Sequence, residues 1–240
     1  MANAGFTLAC GSLTMPCGLW HTAAGAGAGV TMSYTIWLGA LAAYGLFAAW
    51  YNNWRGALRP AEVERLMARF AEAGAGEGGR NSLATLRAFL ESDDGREFFM
   101  LNLVRLAPGE VVDPASGEAR PARAILEGYT RYFLRALAAR GGHPALVAGK
   151  VGGYFDAWGV EPDPDWTMLG YMRYRSRRDL AELAADPRFS SAHLYKLAAM
   201  PQTFSFPTRP RIMLLFGPRL WVALVLALLA ALAQIAVLVG

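Results

Sequence analysis

Few residues in this chain have side chains that could do chemistry. Asn102 is the one strongly polar residue inside the apolar stretch FFMLNLV at 98–104. An amide in such a setting either orients a ligand or satisfies neighbouring backbone, and the second is the commoner use. Histidine occurs at His21, His143 and His193; His143 follows a Gly-Gly pair and is expected on a loop, His193 on a helix. No His-Glu-x-x-His, no paired-cysteine motif and no His/Asp cluster at ligand spacing appears, which speaks against metal-hydrolase chemistry and gives no metal ligands. Cys10 and Cys17 lie in an uncharged stretch without a basic neighbour, so neither reads as an activated thiol. Gly25, Gly27 and Gly29 mimic a nucleotide loop but follow no strand. The densest basic run is Arg173, Arg175, Arg177 and Arg178. Asp179, Glu182 and Asp186 follow it at once, so it reads as a solvated helix start rather than a nucleic-acid or anionic-lipid surface, and no nucleic-acid partner is expected.

The elements that must position these residues are separated first by charge. The 23 basic and 19 acidic residues all lie between Arg55 and Arg219, leaving two charge-free ends in a chain that is 54% hydrophobic. Tyr34–Trp50 offers 17 uncharged residues, with Tyr51 and Trp54 suited to the headgroup level. Leu220–Gly240 offers 21 with only Gln234 polar, and at about 1.5 Å per residue it reaches the thickness of a bilayer core. Arg55 and Arg59 follow the first run, and Arg209, Arg211 and Arg219 precede the second. Basic residues flank spans on the cytoplasmic side. The expectation is an integral protein of a bacterial inner membrane, with the lipid bilayer as its first partner and its soluble domain in the cytoplasm.

The expected organisation is an uncharged tail over 1–31, a transmembrane helix over 32–54, a helical linker over 55–95, an α+β domain over 96–208 and a C-terminal transmembrane helix over 209–240. For the tail the readings stay open: an exported segment, in which Cys10 and Cys17 could pair, a stretch upstream of a true start at Met32, or a disordered tail. In the linker, Pro60 opens a helix with Val63, Leu66, Met67 and Phe70 at helical spacing, and Asn81 or Ser82 caps a second helix. The run from 97 reads as a strand buried on both faces. A turn region follows, then an amphipathic helix over 122–140 ending at Gly141-Gly142. Strands are expected over Ala145–Phe155 and Trp166–Tyr174, a helix capped by Ser176 that breaks at Asp186-Pro187, a last helical piece, and a strand at Thr203–Pro207. The order βαββαβ predicts a four-stranded antiparallel sheet with helices on one face. Apolar residues on both sides of the first strand predict a second copy over the other face, as a homodimer.

The pieces FFMLNLVRL at 98–106, GYTRYFLRALAARGGHPALVAGKVG at 128–152 and the block from Trp166 to Phe206 resemble the dimeric α/β-barrel (ferredoxin-like) superfamily. Within it they resemble a bacterial family of unknown function related to antibiotic-biosynthesis monooxygenases. The resemblance implies a ferredoxin-like βαββαβ domain over roughly 95–207 and a pocket between sheet and helices. In some relatives an Asn of the first strand orients substrate or oxygen there, which implies such a role for Asn102. Some haem-degrading relatives ligate iron through a helical histidine, which makes His193 the haem candidate. The membrane spans set this chain apart from those relatives.

Two functions are carried forward. In the first, a dimeric barrel holds a small lipophilic molecule, such as a quinone, in a pocket lined by Asn102, Tyr129, Phe133, Trp166, Tyr171 and His193. Catalysis there would be cofactor-independent oxygenase or isomerase chemistry. In the second, the domain dimerises to assemble or dock other membrane proteins, with Ala223, Ala227, Ala230 and Ala231 supporting close helix packing.

Overall fold

A computed structural model describes residues 19–72, 82–213 and 217–239, so most of the expected tail, both cysteines included, lies outside the described residues. The chain forms two compact units: the described parts of 1–45 and 216–240, and those of 46–215.

The first unit is built from two helices. Helix α1 spans Leu19–Tyr51, starting earlier than the charge-free run alone suggested and taking in the glycines at 25, 27 and 29. The C-terminal helix spans Pro218–Val239. Thr31–Tyr51 and Pro218–Val239 are long and apolar enough to cross a membrane. Gln234, the lone polar residue of the C-terminal run, donates from Nε2 to Ser33 Oγ at 2.6 Å and so links the two helices. Such a bond suits an apolar environment, where an unpaired amide is costly.

The second unit is α+β. Its elements after α1 are α2 (Pro60–Glu72), α3 (Leu83–Glu91), β1 (Phe98–Arg105), β2 (Glu110–Val112), β3 (Ala119–Pro121), α4 (Ala122–Ala139), β4 (His143–Gly149) and β5 (Met168–Tyr174). They are followed by α5 (Arg177–Ala184), α6 (Pro187–Ala199) and β6 (Gln202–Thr208). The four long strands form an antiparallel sheet in the order β4-β5-β1-β6. That order, with α4 between β1 and β4 and the α5–α6 pair between β5 and β6, is the ferredoxin-like arrangement.

Local signals act where expected. Ser82 accepts from Thr85 N at 3.1 Å and Ser176 from Asp179 N at 3.1 Å, each capping a helix start. After α4, Gly141 takes φ +71°, and a Cβ there would lie 2.8 Å from the Trp50 carbonyl oxygen, so both conformation and space call for glycine. Three differences stand out. The turn region after β1 contains the small hairpin β2–β3. Strand β4 stops at Gly149 instead of running to Phe155, since the glycines that follow leave the ladder. The expected linker helices α2 and α3 belong to the domain core: Val63, Leu66, Met67, Phe70 and Leu90 cluster with Ala181 and Ala185.

One face of the sheet carries the helices. Phe98 clusters with Phe133, Leu137, Tyr174 and Leu183, and Val104 clusters with Ala122, Ile125, Ala199 and Met200. By strand alternation, Phe98, Met100, Asn102 and Val104 look toward the helices, while Phe99, Leu101, Leu103 and Arg105 look the other way. That second face is covered at its Phe99 end, where Tyr51 lies over Arg173, the cross-strand partner of Phe99, but farther along it Leu146, Phe204 and Phe206 are exposed.

Candidate functional site

The sheet separates the side chains expected to line one pocket. Asn102 pairs with Gly170 on β5 and Ser205 on β6, at the centre of the helix-bearing face. The stripe Ile125, Tyr129, Phe133 and Leu137 of α4 follows β1 backwards: Ile125 clusters with Val104, and Phe133 and Leu137 with Phe98. Tyr129 therefore lies level with the middle of the strand, and its ring stacks on Phe133 at 5.8 Å. Tyr171 is on the opposite face, stacked on Phe99 at 5.2 Å, with its hydroxyl 2.6 Å from Thr208 Oγ1. Trp166 sits at the root of the β4–β5 connection, its ring 6.4 Å from Phe204. A pocket gathering Asn102, Tyr129, Phe133, Trp166 and Tyr171 is thus not formed within one chain, because Tyr171 and its neighbour Gly170 necessarily present opposite faces. His193 sits half-buried on α6.

The Asn102 amide is committed to the sheet. Its Nδ2 donates to the carbonyls of Met100 (3.1 Å) and Gly170 (3.3 Å), and its Oδ1 accepts from Ser205 Oγ (2.9 Å). Three of its four hydrogen-bonding valences are used, so it holds three strands in register and has little left for a ligand.

Beside Tyr129, which the sequence did single out, lies a group that it did not. Lys196 on α6 places Nζ 5.8 Å from the Tyr129 ring centroid, and among the described residues no carboxylate pairs with it. Burial holds its ammonium below the ordinary lysine value. Burial likewise pushes the hydroxyls of Tyr129 and Tyr174 above the usual tyrosine range, and for Tyr174 the neighbouring Tyr129 adds to the effect. A faint signal existed: 21 of the 23 basic residues are arginine, and Lys196 is one of two lysines. This cluster sets a cation beside the stacked rings of Tyr129 and Phe133.

The arginine run also departs from expectation. Arg173 is 1% and Arg178 3% exposed, so they are not part of a solvated face. Arg173 donates to the carbonyls of Gly141 and Tyr51 (3.1 Å to the latter) and to Glu97 Oε2 from both Nε (3.0 Å) and Nη2 (2.6 Å), with its guanidinium 3.8 Å above the Tyr51 ring. Tyr51, expected at a headgroup level, is consequently buried, with its hydroxyl 2.9 Å from His143 Nε2. Arg175 donates to the Trp50 carbonyl (2.9 Å) and grips Asp179 with two bonds. Arg178 reaches Glu62 and the carbonyls of Gly56 and Ala57. Arg177 lies over the Phe89 ring at 4.5 Å. The last carbonyls of α1 are thereby served by guanidinium groups, which also suit the negative end of the helix dipole.

Among the described residues no three His, Cys, Asp or Glu side chains gather as a metal site. No family model matches the chain, and no curated protein matches it. Several solved structures are similar to about half of it. RPA0582, a protein of unknown function from Rhodopseudomonas palustris, is 22% identical over 54% of this chain and 92% of that one, with TM-score 0.42; a methylated form of RPA0582 gives 24%, 56%, 90% and 0.43. A dimeric protein of unknown function and ferredoxin-like fold from Bacteroides fragilis is 11% identical over 48% of this chain and 96% of that one, with TM-score 0.28. These likenesses say nothing of activity or ligand.

Proposed function

We propose that this chain is a membrane-anchored assembly module whose ferredoxin-like domain pairs, sheet face to sheet face, with a second copy. The observation that carries this reading is the open face of the sheet, where Leu146, Phe204 and Phe206 stay exposed beside Leu101, Leu103 and Tyr171. A contiguous apolar face of this kind marks an interface. A second copy covers it by the isologous packing of two identical sheets, which is the pairing that the dimeric-barrel resemblance implies. Two apolar helices confine copies to one bilayer and raise their effective concentration. The committed Asn102 amide favours this reading over a catalytic one.

The test is native mass spectrometry of the full chain released from detergent micelles. A dimer that dissociates on Phe204→Lys supports the proposal. A monomer at all concentrations, or a dimer indifferent to Phe204→Lys and Phe206→Lys, refutes it.

A second reading rests on the Tyr129–Lys196 cluster: a small acidic lipophile held between the sheet and helices α4 and α6. Organic extraction of the same sample checks it. A stoichiometric carboxylic or phenolic lipid, lost on Lys196→Met, supports that reading; an empty extract counts against it.

A further inference from the structure

Resting on the pairing of two copies, we propose that residues 150–166, the connection between β4 and β5, form an arm that docks on the open sheet face of the second copy. The arm is firmly rooted. Lys150 N donates to the Thr167 carbonyl at 3.0 Å, and the Lys150 ammonium pairs with Asp163. Asp163 Oδ1 accepts from Asp165 N at 3.0 Å, and Trp166 Nε1 donates to the Tyr154 hydroxyl at 3.0 Å. Asp165 takes φ +64°, which turns the chain back toward β5.

Beyond this root the arm buries almost nothing against its own chain. Val151 and Phe155 are each 104% exposed and Trp158 is 80% exposed, with Val160 also open to solvent. Four large apolar side chains held out by a fixed base have the form of a contact surface awaiting its partner.

Charge selects the partner. The exposed part of the arm carries Asp156 and Glu161, and its single cation, Lys150, is spent on Asp163. An anionic lipid surface would repel such a tip. The open sheet face offers the opposite sign: Arg105 shares the side of Leu101 and Leu103. Among the described residues Arg105, Asp156 and Glu161 make no ion pair. The arm is also continuous with that face, because Trp166 at its root packs toward Phe204. An apolar, acidic arm and an apolar face bearing a free arginine, both on one chain, are complementary across a two-fold axis.

The experiment measures the dimer dissociation constant of the full chain in detergent by sedimentation. Asp156→Arg and Arg105→Asp are each expected to weaken the dimer about tenfold, and the double exchange to restore it to within about twofold. Unfolding temperatures measured on separated copies, below the dissociation constant, should be unchanged in the single variants, since among the described residues neither side chain has an ion-pair partner. If both single variants leave the constant unaltered while Phe204→Lys still separates the copies, the arm is refuted and the pairing stands. A wild-type monomer refutes both. A nitroxide on Phe155→Cys, in a Cys10→Ser, Cys17→Ser background in nanodiscs, is expected to be shielded from oxygen and from aqueous nickel alike. High oxygen accessibility would assign the tip to lipid, and high nickel accessibility to water; either overturns the proposal.

Discussion

Replacing Arg173 with methionine keeps much of the side chain's volume and removes its fork of donors. The Gly141 and Tyr51 carbonyls then lose a buried donor, at about 1–3 kcal/mol each where no water replaces it. Tyr51 loses a desolvated cation at 3.8 Å from its ring centroid, a contact worth roughly 1–2 kcal/mol. Glu97 loses its partner, but its side chain is 32% exposed, so solvent relieves much of that loss. The methionine recovers some apolar burial. Taken together the expected destabilisation is about 4 kcal/mol, the range found when a buried ion pair is broken from one side. For a domain of this size that corresponds to a fall in unfolding temperature of about 8–16 °C. The assay is scanning fluorimetry of the full chain in detergent, comparing Arg173→Met, Arg173→Lys and Glu97→Gln. Lysine keeps the charge but not the planar fork, so it should fall between wild type and methionine, and Glu97→Gln should cost least. A shift below about 3 °C for Arg173→Met, or equal shifts for methionine and lysine, would refute the view that the fork fastens the end of α1 to the sheet.

Asn102→Ala strips the Ser205 hydroxyl of its acceptor and the Gly170 carbonyl of a donor, and should cost about 1–2 kcal/mol in thermal unfolding without altering any extracted lipid. Ser176→Ala removes a buried cap from α5 and is expected to cost about 1–2 kcal/mol by the same measurement, whereas Ser176→Thr should cost less. In the β2–β3 hairpin, backbone N–H groups and Arg120 hold the Asp113 carboxyl below the usual carboxylate range. A depressed folded value means its stabilisation is complete above about pH 4 and is lost as pH falls through that lower value. Amide protection factors over 110–121, which remove the slowing of intrinsic exchange at low pH, should therefore fall on acidification, and Asp113→Asn should flatten that dependence while leaving the rest of the domain unchanged.

What was legible in the sequence was whatever local periodicity and charge encode. Two-sided apolarity at 98–104 marked the central strand, because a strand buried on both faces cannot alternate. Ser82, Ser176 and Gly141 announced helix ends, because capping acts over three or four residues. The absence of charge beyond Arg55 and Arg219 marked both apolar helices. Membership in α1 was nevertheless read too short at its start, since the glycines at 25, 27 and 29 lower helix propensity and the uncharged stretch before Met32 has no polar face to give it a period.

The rest needed the tertiary structure. Trp166 and Tyr171 looked like companions of Asn102 in composition, yet one residue of register sends Gly170 and Tyr171 to opposite faces, and pairing alone sets that register. The arginine run looked solvated because acidic residues follow it closely. Arg173 instead meets Tyr51 and Glu97, which lie 122 and 76 positions away, and no local pattern reveals such partners. Separation in the chain likewise hid Lys196, whose ammonium meets the ring of Tyr129 on another helix. The sequence by itself determined the elements and the two apolar ends, since those depend on short-range spacing. Only the tertiary structure decided which polar groups are consumed, which apolar face stays open and where the arm points, because burial depends on residues far apart in the chain.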